Sequence, residues 1–222
     1  DAETDTYHAQ IAAGDFTLGF KAVAGAPPWL QGEQGLSRKG PDPLQASYYY
    51  SRPQLKVQAQ LSRGGKVEDL AGIAWLDHEW SSAALAPDAV GWDWVGMNLD
   101  DGSALAAFQI RSKQAGQPPV QTYAALRGAS GSVQLVAPAD VRFTPLRYWN
   151  SSRYRSAWPV AQRIRIGTRV FETRPLMDDQ ELDSRLTTGA VYWEGASQLL
   201  EAGRPVGRGY LEMTGYVAPL TL

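Results

Sequence analysis

Residues 91–110 read Gly-Trp-Asp-Trp-Val-Gly-Met-Asn-Leu-Asp-Asp-Gly-Ser-Ala-Leu-Ala-Ala-Phe-Gln-Ile, and this stretch decides the fold. Large apolar side chains alternate with small or polar ones over Val95–Leu99, a period of two that predicts a β-strand. Asp100–Ser103 then predicts a tight hairpin turn, because Asp-Gly tolerates the positive φ angles that such turns require. A second strand is expected over Ala104–Ile110. The stretch is therefore predicted to be an antiparallel hairpin.

Strand-and-turn patterns recur along the chain, over residues 15–23, 55–61, 122–136, 163–173 and 190–217. Twenty-two glycines and fourteen prolines fit many short strands joined by turns. We predict an all-β barrel or sandwich, with helical signal confined to Asp178–Leu186. The Gly- and Pro-rich segment 24–50 is too irregular for a hairpin. It is either a functional loop or a linker between two barrels.

Composition narrows the class of function. The formal net charge of −2 gives no reason to expect nucleic acid as a partner. No stretch approaches the roughly 18 consecutive apolar residues of a spanning helix, so we predict a protein that does not span a membrane. There is no cysteine, which excludes disulfides and thiolate nucleophiles. The two histidines, His8 and His78, are far apart and no nucleotide-binding glycine motif occurs, so we predict no metal and no cofactor.

The rarest titratable side chain lies in the most unusual context. His78 stands between Asp77 and Glu79, and Trp75 and Trp80 flank the three. A histidine beside carboxylates is suited to proton transfer near neutral pH, and the indoles could exclude water from it. On a strand the imidazole would lie on one face and both acids on the other. The alternative is a buried histidine that hydrogen-bonds to a backbone carbonyl.

A second candidate site is the run Gly91-Trp92-Asp93-Trp94. Aromatic side chains on neighbouring strands can line an apolar cavity, so Trp92 and Trp94 are candidate ligand contacts. Asp93 shares strand parity with Val95. If that face is interior, Asp93 is a carboxylate at the mouth of the cavity and its pKa is raised. The alternative is an aromatic core in which Asp93 hydrogen-bonds to backbone at a strand end.

Two further groups are candidate contacts with a ligand. In the run Tyr48-Tyr49-Tyr50 two hydroxyls share one face of a strand, and we take Tyr48 and Tyr50 as the contacts. Simple cross-strand packing is the alternative. In segment 24–50, Ser37 is a possible nucleophile and Arg38 a possible anion contact. The alternative is a solvated loop tip.

Several longer motifs carry a resemblance to a known family. They are Leu30–Gly40, Ala46–Ser51, Gly72–Ser82, Gly91–Trp94, Tyr192–Gly195 and Gly207–Tyr216. In this order they resemble the lipocalin-like predicted secreted hydrolases, also called the carotenoid hydratase-like or AttH-like family.

The resemblance implies two tandem lipocalin-like antiparallel β-barrels, of which the first is incomplete in this chain. Residues 1–65 would be the C-terminal part of the first barrel with its long loop, and residues 66–222 the second barrel. The resemblance also implies a periplasmic or secreted location. An N-terminal fragment of the same precursor would complete the first barrel.

The resemblance further implies an apolar small-molecule ligand held between the barrels. We expect an enzyme that uses water on a lipid, ester or isoprenoid-like compound, as a hydrolase or a hydratase. His78, Asp77 and Glu79 carry over as the acid-base site, and our own parity argument adds Asp93 as a second acid. A non-catalytic carrier of a lipid or pigment is the alternative, because fold alone does not establish catalysis.

Overall fold

The computed structural model describes residues 1, 3–82 and 85–220, and nearly all of its regular structure is β. Within those ranges there is no α-helix, and Pro138–Asp140 forms a single 3-10 turn. In the part of the chain that the structure describes, no helix has the length and apolar surface needed to cross a membrane. The strands are β1 Thr6–Ala12, β2 Phe16–Val23, β3 Trp29–Leu30, β4 Leu36–Arg38, β5 Ala46–Arg63, β6 Lys66–Trp80, β7 Ala89–Leu99, β8 Ala104–Ser112, β9 Gln121–Arg127, β10 Val133–Val136, β11 Val141–Asn150, β12 Ala157–Ile166, β13 Arg169–Pro175, β14 Glu181–Ser184, β15 Ala190–Glu201 and β16 Arg204–Met213.

The first sheet is a half-barrel built around the 18-residue strand β5. One edge of β5 pairs with β2, β3 and β4 in succession, and the other edge pairs with β6 along almost its whole length. All of these pairings are antiparallel. Strand alternation places Tyr49 on one face, where it is buried, and Tyr48 on the opposite face, where it is exposed. The first of these faces packs toward the second sheet.

The second sheet is a ten-stranded antiparallel sheet in the order β10-β9-β8-β7-β16-β15-β13-β12-β11, with β14 also paired to β15. Strands β9 and β11, near its two ends, contact each other, so the sheet curls into a barrel. The predicted hairpin is confirmed, since β7 ends at Leu99 and β8 begins at Ala104. The side chains of Val95, Met97 and Leu99 lie in the barrel core with Trp158, Phe171 and Trp193.

A bulge in β5 ties the two sheets together. The register of β5 against β6 shifts between Arg52 and Leu55, and Gln54 adopts a positive φ of 57° there. The Gln54 backbone N–H donates to Asn98 Oδ1 at 2.8 Å. Its side-chain amide donates to the carbonyls of Leu99 and Ser103, at 2.9 and 2.8 Å. The strained residue therefore aims three hydrogen bonds at the β7–β8 hairpin.

Aromatic rings fill the rest of the contact between the sheets. Trp75 meets Trp29 and Trp94 edge to face, each at 6.2 Å between ring centroids. Gly96 makes room for them, because a Cβ there would lie 2.3 Å from the Trp94 ring and 2.9 Å from the Trp75 ring. A side chain at position 96 would therefore push the sheets apart.

Two sequence-based expectations differ from the observed elements. The division at residue 65 assigned Lys66–Trp80 to the second barrel, whereas hydrogen bonding places this strand, β6, in the first sheet. The chain crosses between the sheets only after Trp80. The helical turns expected over Asp178–Leu186 are wrong, because Glu181–Ser184 forms strand β14 on the edge of β15. Pairing with a neighbouring strand outweighs a weak local helical preference.

Candidate functional site

A cavity of about 340 Å³ lies between the two sheets, and we call it the intersheet cavity. Its volume is in the range of small-molecule sites, roughly 300–1,000 Å³. The first sheet and its loops contribute mostly polar groups, whereas the second contributes mostly aromatic and aliphatic ones. The lining residues are Lys39, Ser47, Tyr49, Asp77, Glu79, Trp80, Ser81, Leu85, Trp92, Trp94, Phe108, Ile110 and Glu212.

Asp77 is the most heavily hydrogen-bonded carboxylate in the cavity wall. Its Oδ1 accepts from Ser51 Oγ at 2.5 Å and from Trp75 Nε1 at 2.8 Å, and its Oδ2 accepts from the Tyr49 hydroxyl at 2.9 Å. Part of the residue is open, but protein surrounds the carboxyl. This burial raises the pKa of Asp77, and the three donors oppose the increase.

The donors to Asp77 have their directions fixed by further hydrogen bonds. The Tyr49 hydroxyl oxygen accepts from Trp94 Nε1 at 3.1 Å, so the Tyr49 proton is directed to the carboxylate. The Ser51 oxygen accepts from Gln31 Nε2 at 2.9 Å, so the Ser51 proton is also directed to the carboxylate. Each bond fixes the direction of the next, and together they hold Asp77 as an acceptor.

The same chain of bonds reaches the second sheet. Gln31 Oε1 accepts from the Tyr123 hydroxyl at 2.8 Å, and that hydroxyl accepts from the Gly32 backbone N–H at 3.0 Å. We call the series Gly32–Tyr123–Gln31–Ser51–Asp77 the relay. Gln31 and Ser51 are completely buried. The relay therefore connects the Gly-rich segment and strand β9 to a carboxylate in the cavity.

Lys39 and Glu79 form an ion pair in the cavity wall. Lys39 Nζ lies 2.6 Å from Glu79 Oε1, and the Ser47 hydroxyl donates to the same oxygen. The ammonium also lies over two rings, 4.3 Å from the centroid of Phe108 and 5.1 Å from that of Tyr49. Burial lowers the pKa of Lys39, and the charge of Glu79 opposes this change.

Glu212 on β16 is a buried carboxyl group in the cavity wall, and its pKa is strongly raised. Burial is the main cause and raises its pKa to about 7. A hydrogen bond of 2.6 Å from Trp92 Nε1 to Glu212 Oε1 works in the opposite direction. The negative charges of Glu194, Asp77 and Glu79 raise the pKa further. At pH 7 a large share of Glu212 is protonated and can donate a proton into the cavity.

The four tryptophans singled out from the sequence all lie at or beside this cavity. Trp92 and Trp94 line it, and Trp80 borders it, although the Trp80 ring stacks on Tyr48 and lies beside His78 on the outer face of β6. Trp75 is one layer behind, where it contacts the Trp94 ring and donates to Asp77. Aromatic rings of the second sheet therefore form part of the cavity wall.

His78 does not line the intersheet cavity, although strand alternation separates it from Asp77 and Glu79 as expected. Its side chain is exposed on the face of β6 opposite to Asp77 and Glu79, where it stacks on Tyr50 at 5.4 Å between centroids. Tyr48 and Tyr50 are on that same face, so Tyr49 rather than either of them reaches the cavity. Strict alternation along β5 and β6 produces this separation.

Asp93 is also not at the cavity. It is buried in the interior of the second barrel, where its carboxylate accepts from Gln109 Nε2 at 2.6 Å and from the Tyr216 hydroxyl at 2.9 Å. Arg111 Nε lies 3.4 Å from the same carboxylate. Burial raises the pKa of Asp93, as its parity with Val95 suggested, while Arg111, Gln109 and Tyr216 lower it. The group is part of a barrel-interior network.

The structure also separates Ser37 and Arg38 from the intersheet cavity. Ser37 is completely buried and does not line the cavity, and its Oγ has no hydrogen-bond partner. Arg38 is exposed and donates to the Pro43 carbonyl at 3.0 Å. Their neighbour Lys39 is the residue of this segment that enters the cavity.

Sequence reasoning missed four groups that the cavity brings together: Lys39, Tyr49, Glu212 and, behind them, Gln31. Each lies in a motif that carried the family resemblance. The available signal for Glu212 was parity, because it alternates with Leu211 and Met213, which face the barrel core. An acid at such a position must lie on the outer face of the barrel, where the first sheet packs.

A second concavity of about 690 Å³ lies on the first sheet and is lined by His8, Lys21, Gln58, Gln60 and Asp69 among others. It is a wide, open groove of mostly exposed side chains. We place the candidate site in the intersheet cavity, because enclosure and convergent titratable groups occur together there. No cluster of metal-ligating side chains occurs in residues 1, 3–82 and 85–220.

Comparisons with known proteins agree with this architecture. The AttH-like family model matches residues 1–216. A crystal structure of a candidate AttH protein from Nitrosomonas europaea superimposes with a TM-score of 0.89 at 53% sequence identity, covering 96% of this chain and 66% of that one. A comparison with curated proteins found no match.

Two more distant structures share the fold. Kievitone hydratase from Nectria haematococca has a TM-score of 0.73 at 20% identity, and CghA with Sch210972 has 0.56 at 14%. Each comparison covers 96% of this chain and 65% of the other. The chain thus spans slightly less than two thirds of the length of all three structures. With a family match over nearly its whole length, the chain belongs to the AttH-like family.

Proposed function

We propose that this protein is a hydratase-type enzyme, which adds water to a carbon–carbon double bond of an apolar small molecule or removes it. The substrate would occupy the intersheet cavity. The observation that carries the proposal is the Glu212 carboxyl, which has a pKa of about 7 and faces an aromatic cavity opposite Asp77 and Glu79. The fold shared with kievitone hydratase is consistent with this class of reaction.

The side chains in the cavity have different roles in hydration. The Glu212 carboxyl donates its proton to one carbon of the double bond, and the π electrons form the new C–H bond. Negative charge on Asp77 and the face of Trp94 stabilise the positive charge that develops on the other carbon. A water molecule attacks that carbon while Asp77 accepts its proton. Transfer of this proton through solvent restores Glu212, and dehydration follows the same steps in reverse.

Hydrolysis of an ester fits the cavity less well. Ser37, the nucleophile considered from the sequence, does not line it. Ser47 does line the cavity, but its hydroxyl donates to Glu79, and no histidine is among the described lining residues. A serine nucleophile normally needs an adjacent base that accepts its proton and is itself oriented by a third group.

The second candidate function is a carrier that holds an apolar ligand without chemistry. The mostly apolar wall of Trp92, Phe108 and Ile110 favours binding under either proposal. The two differ in what Glu212 does. For a carrier its replacement changes affinity at most, whereas for an enzyme it removes the proton donor.

The test uses water labelled with heavy oxygen and a panel of apolar isoprenoid alkenes and alcohols. Mass spectrometry should detect labelled hydroxyl in a product made by the wild-type protein. Glu212→Gln should lower the rate by about 10²–10⁴-fold while ligand binding, followed by tryptophan fluorescence, is kept. Equal rates for the two proteins would refute the role of Glu212. Binding without label incorporation by either protein would favour the carrier.

Two further expectations remain proposals. We propose that an N-terminal segment of the precursor completes the half-barrel, since the longer Nitrosomonas structure is matched over only 66% of its chain. Exposed apolar side chains on the first sheet, such as Ile11, Leu70 and Ile73, support this. We also propose a periplasmic or secreted location. Co-purification with the separately expressed segment tests the first proposal, and cell fractionation tests the second.

A further inference from the structure

Lys39 differs from every other lysine in the chain. Its side chain is only 12% exposed, and it lines the intersheet cavity. The other four lysines are exposed; they are Lys21, Lys56, Lys66 and Lys113. An amine in a partly apolar cavity is poorly solvated, so it is a candidate nucleophile rather than a solubilising surface charge.

The surroundings of Lys39 supply what such a nucleophile needs. Glu79 Oε1, at 2.6 Å from Nζ, is positioned to accept the ammonium proton. The rings of Phe108 and Tyr49 lie beside the amine and provide an apolar surface on which a ligand can pack. Glu212 lines the same cavity and can protonate a departing oxygen.

We propose that Lys39 Nζ forms an imine with the carbonyl group of an apolar aldehyde or ketone bound in the intersheet cavity. This inference goes beyond the proposed function, which needs no covalent step. Imine formation by itself does not depend on hydration being the reaction.

The step balances in atoms and protons. The Lys39 ammonium gives a proton to the Glu79 carboxylate, and the free amine attacks the carbonyl carbon to form a C–N bond. The carbonyl oxygen takes one proton from Glu212 and one from the nitrogen, and the C–O bond breaks to release water and leave an iminium ion. The iminium ion keeps its last N–H proton or returns it to the Glu212 carboxylate, which gives the neutral imine. The net reaction joins one amine and one carbonyl and releases one water, with no oxidant or reductant.

Two physical arguments support the proposal. Burial lowers the pKa of Lys39, which increases the fraction of free amine near neutral pH. A carboxyl group such as Glu212 is also a weak acid for an isolated double bond. Conversion of a conjugated carbonyl into an iminium ion would make the double bond electrophilic enough for water to add. If the proposed function is correct, its substrate class is then an apolar α,β-unsaturated aldehyde or ketone.

The test traps the imine chemically. The protein is incubated with trans-cinnamaldehyde, an apolar conjugated aldehyde, and sodium cyanoborohydride, and the modified peptides are identified by mass spectrometry. Lys39 should be labelled at least about tenfold faster than any exposed lysine, because the cavity holds the apolar aldehyde beside Nζ and proximity speeds the attack. Glyceraldehyde, which is polar, should show no such preference.

Matched variants complete the test. Lys39→Arg keeps the positive charge next to Glu79 but should lose the fast adduct and keep the slow labelling of the other lysines. Lys113→Arg, at an exposed position, should behave like the wild type. Circular dichroism verifies that both variants are folded. Labelling of Lys39 no faster than Lys113 in the folded wild-type protein would overturn the proposal. Hydration that survives in Lys39→Arg would leave the proposed function intact, so the two can fail separately.

Discussion

Both faces of strand β6 carry titratable side chains near its C-terminal end, but the surroundings of these side chains differ. One face presents Asp77 and Glu79 to the intersheet cavity, where protein donors and a lysine hold them in place. The other presents His78 to the outside, stacked on Tyr50. Adjacent residues in the chain therefore occupy a structured pocket and an open surface.

The difference shows that the surroundings of a titratable side chain decide its suitability for proton transfer more than its residue type does. A histidine near neutral pKa is the obvious proton carrier in a sequence. In the structure Glu212 acquires a pKa of about 7 through burial and neighbouring charges, and it faces the cavity. The burial that tunes a carboxyl group in this way depends on two sheets packing together.

The largest loss of turnover is expected from a substitution on the face of β6 that lines the intersheet cavity. Asp77→Asn should lower turnover by about 10²–10⁴-fold, because it removes both the proton acceptor and the stabilising charge. Asp69→Asn, on the same strand and the same face but outside the cavity, is the matched control and should retain activity. The labelled-water assay measures both, and a fully active Asp77→Asn protein would break the comparison.

The pH dependence should report Glu212. The protonated form is the active one, so the rate should fall about tenfold per unit as pH rises above about 7. Stability should follow the same direction: a raised carboxyl pKa means that folding favours the protonated form, so this contribution is present below the unfolded pKa and is lost as pH rises through 7. Glu212→Gln should remove the pH dependence of stability in this range, as measured by urea unfolding at several pH values.

An intermediate effect, on stability, is expected from substitutions in the relay behind the intersheet cavity. Gln31→Leu breaks the relay, because the Tyr123 hydroxyl loses its acceptor and the Ser51 oxygen loses its donor, and this should lower the free energy of unfolding by about 1–3 kcal/mol. Tyr123→Phe removes the neighbouring link. The double variant should cost less than the sum of the two, because both break one network. Additive costs in chemical denaturation would contradict a connected relay.

Much of this architecture follows from local pattern, and the site does not. Alternation over Val95–Leu99 and the Asp-Gly turn predict the β7–β8 hairpin, since both depend on neighbours in sequence. The same alternation separates His78 from Asp77 correctly. Local sequence pattern does not predict which face of β6 the second sheet covers. That is decided by contacts such as Trp75 against Trp94, distant in sequence.

The smallest effect is expected on the outer face. His78→Ala removes an exposed ring that lines no part of the intersheet cavity, so its effect on stability should be within about 0.5 kcal/mol, typical of surface positions. Turnover in the labelled-water assay should be nearly unchanged. A loss as large as that of Asp77→Asn would move the chemistry to the opposite face of β6.

The central claim, that the packing of two sheets produces a proton donor at Glu212, can be tested without any substrate. Carbon-13 NMR of side-chain carboxyl groups, assigned with Glu212→Gln, gives the pKa of this residue directly. The account predicts a value of about 7. Titration at the ordinary glutamate value of 4.5 would contradict it.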